Sequence, residues 1–205
     1  MAELLSIARS ELIVGGQKSG KSARAEKLAA QWLAASPLHS AVLVATAQAH
    51  DGEMRTRIQR HQADRAQRVP SMRTVEEPLH LADALATHTG AQTMVVVDCL
   101  TLWLTNLLMP YVPAVSAVPD LNYDQKKPLT QGNTAQTAIF LRAIELAQGP
   151  VVVVSNEIGL GVIPMGREVR AYVDALGRLN QDVAHVCSRV TLMAAGLPLL
   201  LKDLA

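Results

Sequence analysis

Aromatic residues are scarce in this chain. One Phe, three Tyr and two Trp make up 3% of 205 residues, while 49% are hydrophobic. A core of that composition must be aliphatic, built from Val, Leu, Ile and Ala. Cysteine is scarcer still, with only Cys99 and Cys187. Two cysteines without CxxC spacing exclude a disulfide framework and a structural zinc site. Both lie in apolar surroundings and are expected as buried, reduced thiols of a cytoplasmic protein. An excess of one charge sign is also missing: 19 basic side chains face 18 acidic ones, for a net +1. Bulk electrostatics therefore gives no support for nucleic-acid or membrane-surface binding. Long unbroken apolar runs are absent too. Met94 to Met109 approaches membrane length, but Asp98 and Asn106 interrupt it, and strand-like valines precede a leucine-rich helical pattern. It reads as strand then helix. Glu3, Arg9 and Glu11 break the apolar start, so no signal peptide is expected.

What is present is alternation. Glu11–Gly15, Ala41–Ala47, Thr93–Cys99 and Gly149–Asn156 are short runs rich in Val and Leu, hence buried strands, with Arg73–Glu77 as a shorter extended piece. Between them, Lys21–Ala35, Gly52–Arg68, Leu79–Thr89, Ala135–Gln148 and Gly166–Cys187 carry helical spacing. Arg189–Lys202 reads as two strands turning at Gly196-Leu197-Pro198. The segment Pro110–Asn133 holds four prolines and no sustained period, and reads as a long surface loop. Strands apolar on both faces alternating with helices predict an α/β fold in one domain. Its mostly parallel sheet is covered by helices on both faces, with one antiparallel edge strand at the C-terminus.

"GGQKSGKS", Gly15–Ser22, fits G-x-x-x-x-G-K-[ST] between a strand and a helix. The glycines let backbone N–H groups turn towards phosphate oxygens, and the helix N-terminus adds positive potential. Gly15, Gly16, Gln17, Lys18, Ser19, Gly20, Lys21 and Ser22 are thus candidate nucleotide contacts. Lys21 reaches the outer phosphates and Ser22 is a candidate Mg²⁺ ligand. A second metal-orienting oxygen is expected at the end of a neighbouring strand, where Asp98 closes "MVVVD". Asn156 and Glu157 close another strand and are further candidates. The motif is shared by kinases, ATPases and GTPases, and by itself selects none of them.

His61 lies on a polar helix with Arg57, Asp64 and Arg65 three or four residues away, on one side. A histidine among arginines suits attack on an anionic phosphate, but an exposed helical histidine is more often merely solvated. A resemblance bears on the choice. "GGQKSGKS", "ATAQAHDGEMRTRIQRH", "RTVEEP", "VDCLTLWLTNLL", "SNEIGLGVIP" and "GRLNQDVAHVCSRVTLMAAGLPLLLK", in this order, resemble the bifunctional adenosylcobinamide kinase / adenosylcobinamide-phosphate guanylyltransferase family of cobalamin biosynthesis.

The resemblance implies a P-loop NTPase-like fold and two reactions. One phosphorylates the aminopropanol hydroxyl of adenosylcobinamide. The other moves GMP from GTP to that phosphate through a guanylyl-histidine, releasing pyrophosphate. It places the catalytic histidine on His61, beside Lys21. It extends the nucleotide contacts to Thr46, Ala47, Gln48, Gln62, Ala63, Asp64, Arg65, Glu76, Glu77 and Asp98, with either Glu76 or Glu77 reading guanine. It also implies Mg²⁺, GTP and ATP, a corrinoid substrate and a homotrimer. The link "QADRAQRVPSM" after His61 is longer than the family's and has no tryptophan. The remaining readings are a P-loop kinase for another small molecule and a non-catalytic nucleotide-binding module.

Overall fold

The computed structural model describes residues 5–49, 51–109, 131–162 and 164–204. Its framework is a seven-stranded sheet of order β3-β2-β4-β5-β1-β6-β7. The strands are β1 (Ser10–Gly15), β2 (Ser40–Ala45), β3 (Arg73–Glu76), β4 (Thr93–Asp98), β5 (Val151–Val154), β6 (Arg189–Ala194) and β7 (Leu197–Asp203). Every neighbouring pair is parallel except β6 and β7, which run antiparallel. The expected α/β class and its antiparallel edge are therefore present.

The helices are α1 (Lys21–Ala35), α2 (Gly52–Arg68), α3 (Leu81–His88), α4 (Leu100–Leu108), α5 (Gln131–Leu146) and α6 (Arg167–Val186). Alternation along β1 divides the core. Leu12 and Val14 join Trp103, Phe140 and Leu176 on one face. Ile13 joins Ala25, Leu28 and Met94 on the other. A strand buried on both faces needs this continuous apolar run, and the two layers of helices supply both covers.

Most element ends fall within two residues of the sequence reading, and the final turn and the start of α5 are the differences with a physical lesson. The final turn lies at Ala195-Gly196, not at Gly196-Leu197-Pro198. Both turn residues have positive φ, 52° and 80°, the geometry of a two-residue hairpin whose twist matches its strands. Leu197 and Pro198 already belong to β7, where proline is tolerated because the strand is at the sheet edge. Helix α5 starts at Gln131, so residues 131–133 of the expected loop are helical. Gly132 and Asn133 read as turn formers, but the apolar face beginning downstream carries the helix back through them. The rest of that loop, 110–130, lies outside the described residues.

Candidate nucleotide site

The cradle begins where β1 stops. Gly15 has φ 152°, and a Cβ there would stand 2.4 Å from the Met193 carbonyl oxygen. The turn then tightens: the Ser19 N–H donates to Gly16 O at 3.3 Å. Gly20 precedes α1 in a left-handed conformation, with no side-chain cap on the helix. The first-turn N–H groups of α1 thus remain available to an anion. The β6–β7 hairpin props the loop from outside, the Gly196 N–H donating to Ser19 O at 3.0 Å.

Lys21 is buried, and its Nζ donates to Gly16 O at 2.7 Å. Burial lowers the pKa of this ammonium; Cys99 and Asp98 act upward against it, and Arg57 adds to the lowering. The Ser22 hydroxyl donates to Asp98 Oδ2 at 2.8 Å. This contact reaches from the start of α1 to the end of β4, over the strand β5 that separates β1 from β4. The tip of β5 is held on both sides. The Asn156 N–H donates to Thr101 Oγ1 at 2.9 Å, and the Asn156 carbonyl accepts from Asn180 Nδ2 at 3.0 Å.

Helix α2 forms the opposite wall. Asp51 caps it by accepting from the Met54 N–H. None of its residues is buried. It is tied down by Arg68, which donates to the buried Glu26 of α1 at 2.8 Å, with Asp64 at 3.9 Å. Wall and cradle enclose a cavity of about 730 Å³ lined by residues including Gln17 to Ser22, Ala47, Arg57, Arg60, His61, Glu76, Asp98 and Asn156. This size suits a nucleotide-scale ligand. Four arginines of α2 (Arg57, Arg60, Arg65 and Arg68) line it, giving an anionic ligand ample partners.

Of the residues named from sequence, Gln17, Lys18, Ser19, Gly20, Lys21, Ser22, Ala47, His61, Gln62, Asp64, Arg65, Glu76 and Asp98 meet at this cavity. Gly15 and Gly16 shape the loop from behind. Thr46 does not reach the cavity with its side chain. Its hydroxyl donates to Cys99 O at 2.8 Å and accepts from Cys99 N at 2.9 Å, tying β2 to β4. Gln48 and Ala63 are outside the lining; Ala63 is turned away on α2. The two acids part company. Glu76 faces the cavity, whereas Glu77 Oε1 accepts from the N–H groups of Leu79 and His80 at 2.9 and 2.8 Å. Partial burial acts to raise the Glu77 pKa, but the hydrogen bonds from His80 and Leu79 outweigh it and hold the pKa below the ordinary value. Arg60, Arg68 and Glu26 escaped the sequence reading. The signal for the arginines was there: residues 57, 60, 61, 64 and 68 stand three or four apart along one side of the helix.

The sequence profile of the family described as cobinamide kinase / cobinamide phosphate guanyltransferase matches residues 11–201. The chain belongs to this family. A bifunctional adenosylcobalamin biosynthesis protein CobP of Pseudomonas aeruginosa is 44% identical over 94% of this chain and 96% of its own length. The CobU protein of Escherichia coli with the same description is 32% identical, over 93% of this chain and 98% of that one. Among solved structures, an ATPase domain superposes with a TM-score of 0.53 at 11% identity, over 96% of this chain and 78% of that one. That likeness is one of fold, a P-loop NTPase-like sheet. Among the described residues, no helix is long and apolar enough to cross a membrane.

Proposed function

We propose that this chain is a bifunctional transferase that phosphorylates adenosylcobinamide and then moves GMP from GTP onto the resulting phosphate, with His61 as the nucleophile. The observation that carries it is that His61 lines the same cavity as Lys21, Ser22 and Asp98. An unprotonated imidazole nitrogen of His61 attacks the α-phosphorus of GTP. A P–N bond forms, the bond to the bridging oxygen breaks, and pyrophosphate leaves. The phosphate of the corrinoid then attacks the same phosphorus, and the P–N bond breaks. Two displacements replace one transfer. Gly15 to Ser22 and the α2 arginines hold the departing phosphates and match their growing charge. The kinase step uses the same cradle, with the aminopropanol hydroxyl attacking a γ-phosphate supplied by ATP or GTP.

Ser22 and Asp98 offer hard oxygen atoms, the donor type that suits Mg²⁺, which is usually held by one or two carboxylates together with substrate phosphates and water. When bound there, Mg²⁺ supplies charge neutralisation on the polyphosphate. Glu76 is the acid free to accept from guanine N1–H and the 2-amino group, since Glu77 caps the turn before α3. Thr46, Gln48 and Ala63 are left with supporting roles. The chain acts as one domain and as a homo-oligomer, with the trimer the reading favoured by family resemblance. The exposed leucines of the edge strand β7 support association.

The test uses GTP labelled at the α-phosphate, with Mg²⁺ and no corrinoid. Label that stays on the denatured chain through alkali and is lost in acid marks a phosphoramidate. It is expected on the wild type and absent from His61→Ala. A folded, GTP-binding wild type that takes no label removes the guanylyltransferase half and leaves a kinase or a nucleotide-binding module.

A further inference from the structure

A second cavity, of about 760 Å³, lies between α6 and the segment that follows β5. It is not a continuation of the nucleotide cavity's lining, but the two meet at adjacent residues. Asn156 lines the first and Glu157 the second. At that junction the Glu157 N–H donates to Gly15 O at 3.0 Å, so the second cavity opens beside the root of the phosphate cradle. Taken with the proposed transferase reading, on which this inference rests, we infer that this cavity is the acceptor site. It takes the corrin macrocycle and presents the aminopropanol arm across Asn156 to the phosphates.

Three independent features fit an occupant that is flat, apolar on its face and edged with primary amides. First, Leu160 and Val162 on the cavity's lip are 81% and 96% exposed. Two large apolar side chains held in water on one short loop gain by covering a hydrophobic face. Second, Asn180 is buried, yet its Oδ1 has no hydrogen-bond partner among the described residues. A buried unpaired acceptor is costly, and an amide N–H from a ligand satisfies it. Asp174 and Gln181 add further acceptors and donors to the same wall. Third, Gly177 stands in the interior of α6 on this wall, where a glycine costs helix stability relative to alanine. No packing among the described residues explains it, since none of them stands within 4 Å of where its Cβ would be. The glycine keeps the cavity open.

The experiment compares Gly177→Phe and Gly177→Ala with the wild type, using adenosylcobinamide as acceptor. Gly177→Ala is expected to raise the thermal midpoint, because it fills no occupied space. Gly177→Phe is expected to raise the KM for adenosylcobinamide about tenfold or more while leaving self-labelling by α-labelled GTP intact. Leu160→Asp, at an exposed position, is expected to act in the same direction and covers the case of Gly177→Phe failing to fold. A KM within about twofold of wild type in the folded variants overturns the assignment. So does a change in sedimentation coefficient on Gly177→Phe, which means that a second copy of the chain fills the cavity. A wild type inert towards both GTP and corrinoid removes the transferase reading itself, and the site falls with it.

Discussion

Gly15 has no room for any side chain. Its φ of 152° disfavours L residues, and an added Cβ would press on the Met193 carbonyl and the Ser19 hydroxyl at 2.4 and 2.7 Å. Gly15→Ala must therefore push β1 away from β6 or deform the loop. We expect a loss of about 2 kcal/mol or more in urea unfolding, together with lost GTP binding. An unchanged midpoint with normal binding would show that the loop yields easily. The cysteines make an opposite case, of residues kept away from chemistry. Burial is the main cause that lifts the Cys99 thiol to about 11 and the Cys187 thiol to about 12, from an ordinary 9.0. Both are therefore thiols at pH 8, and a thiol-specific reagent should react only on unfolding. The sign of the linkage follows. Between pH 9 and those raised values the unfolded chain releases protons that the folded chain keeps, so stability falls as pH rises. Well below pH 9 both states keep their protons and these two groups contribute almost no slope. Rapid native-state labelling at pH 8 would contradict the burial.

At the scale of elements, α2 stands apart. It carries His61, yet it buries no residue, whereas α1 buries Ala25, Leu28 and Ala29. Its attachment to α1 rests on the Arg68–Glu26 ion pair and a few surface contacts. In hydrogen exchange the α2 amides should be the least protected of the helices flanking the cavity, and Glu26→Gln should lower their protection further. Protection equal to that of α1 would refute this. The same helix shows what sequence reasoning sees. Polar residues at helical spacing revealed α2 and the shared side of His61 and Arg57, but not its Asp51 cap. The anchor did not show, because Glu26 reads as an ordinary charged residue on an amphipathic helix, and only the fold buries it. Thr46 and Glu77 are similar. Their residue types suit a site, but backbone groups nearby claim their hydrogen bonds, and those partners are fixed by tertiary packing. The strands were legible for the reverse reason. A run such as Val95, Val96 and Val97 has only a buried parallel strand to fit. Turn positions were harder, because Leu and Pro belong equally to a turn flank and to an edge strand.

For the molecule as a whole, the open edge at β7 carries a run of exposed leucines. Leu197, Leu199, Leu200 and Leu201 are each more than half exposed. An edge strand of this kind invites pairing unless another subunit covers it. The double variant Leu197→Lys, Leu199→Lys should sediment as a smaller species than the wild type. A wild type that is already monomeric, or a variant with unchanged mass, would leave β7 outside any subunit contact.

The central strand has a history of its own. β1 is flanked by β5 and β6, and the loop that follows β1 leans on Met193 and Gly196. A ribosome delivers β1 and Gly15–Ser22 well before their neighbours in the sheet. Until residues 151–154 and 189–196 have emerged, the phosphate-binding turn has neither a sheet on its flanks nor a hairpin at its back. The nascent chain thus carries the whole motif in its covalent sequence well before it can grip a nucleotide, and that ability waits for β5, β6 and the hairpin turn to follow.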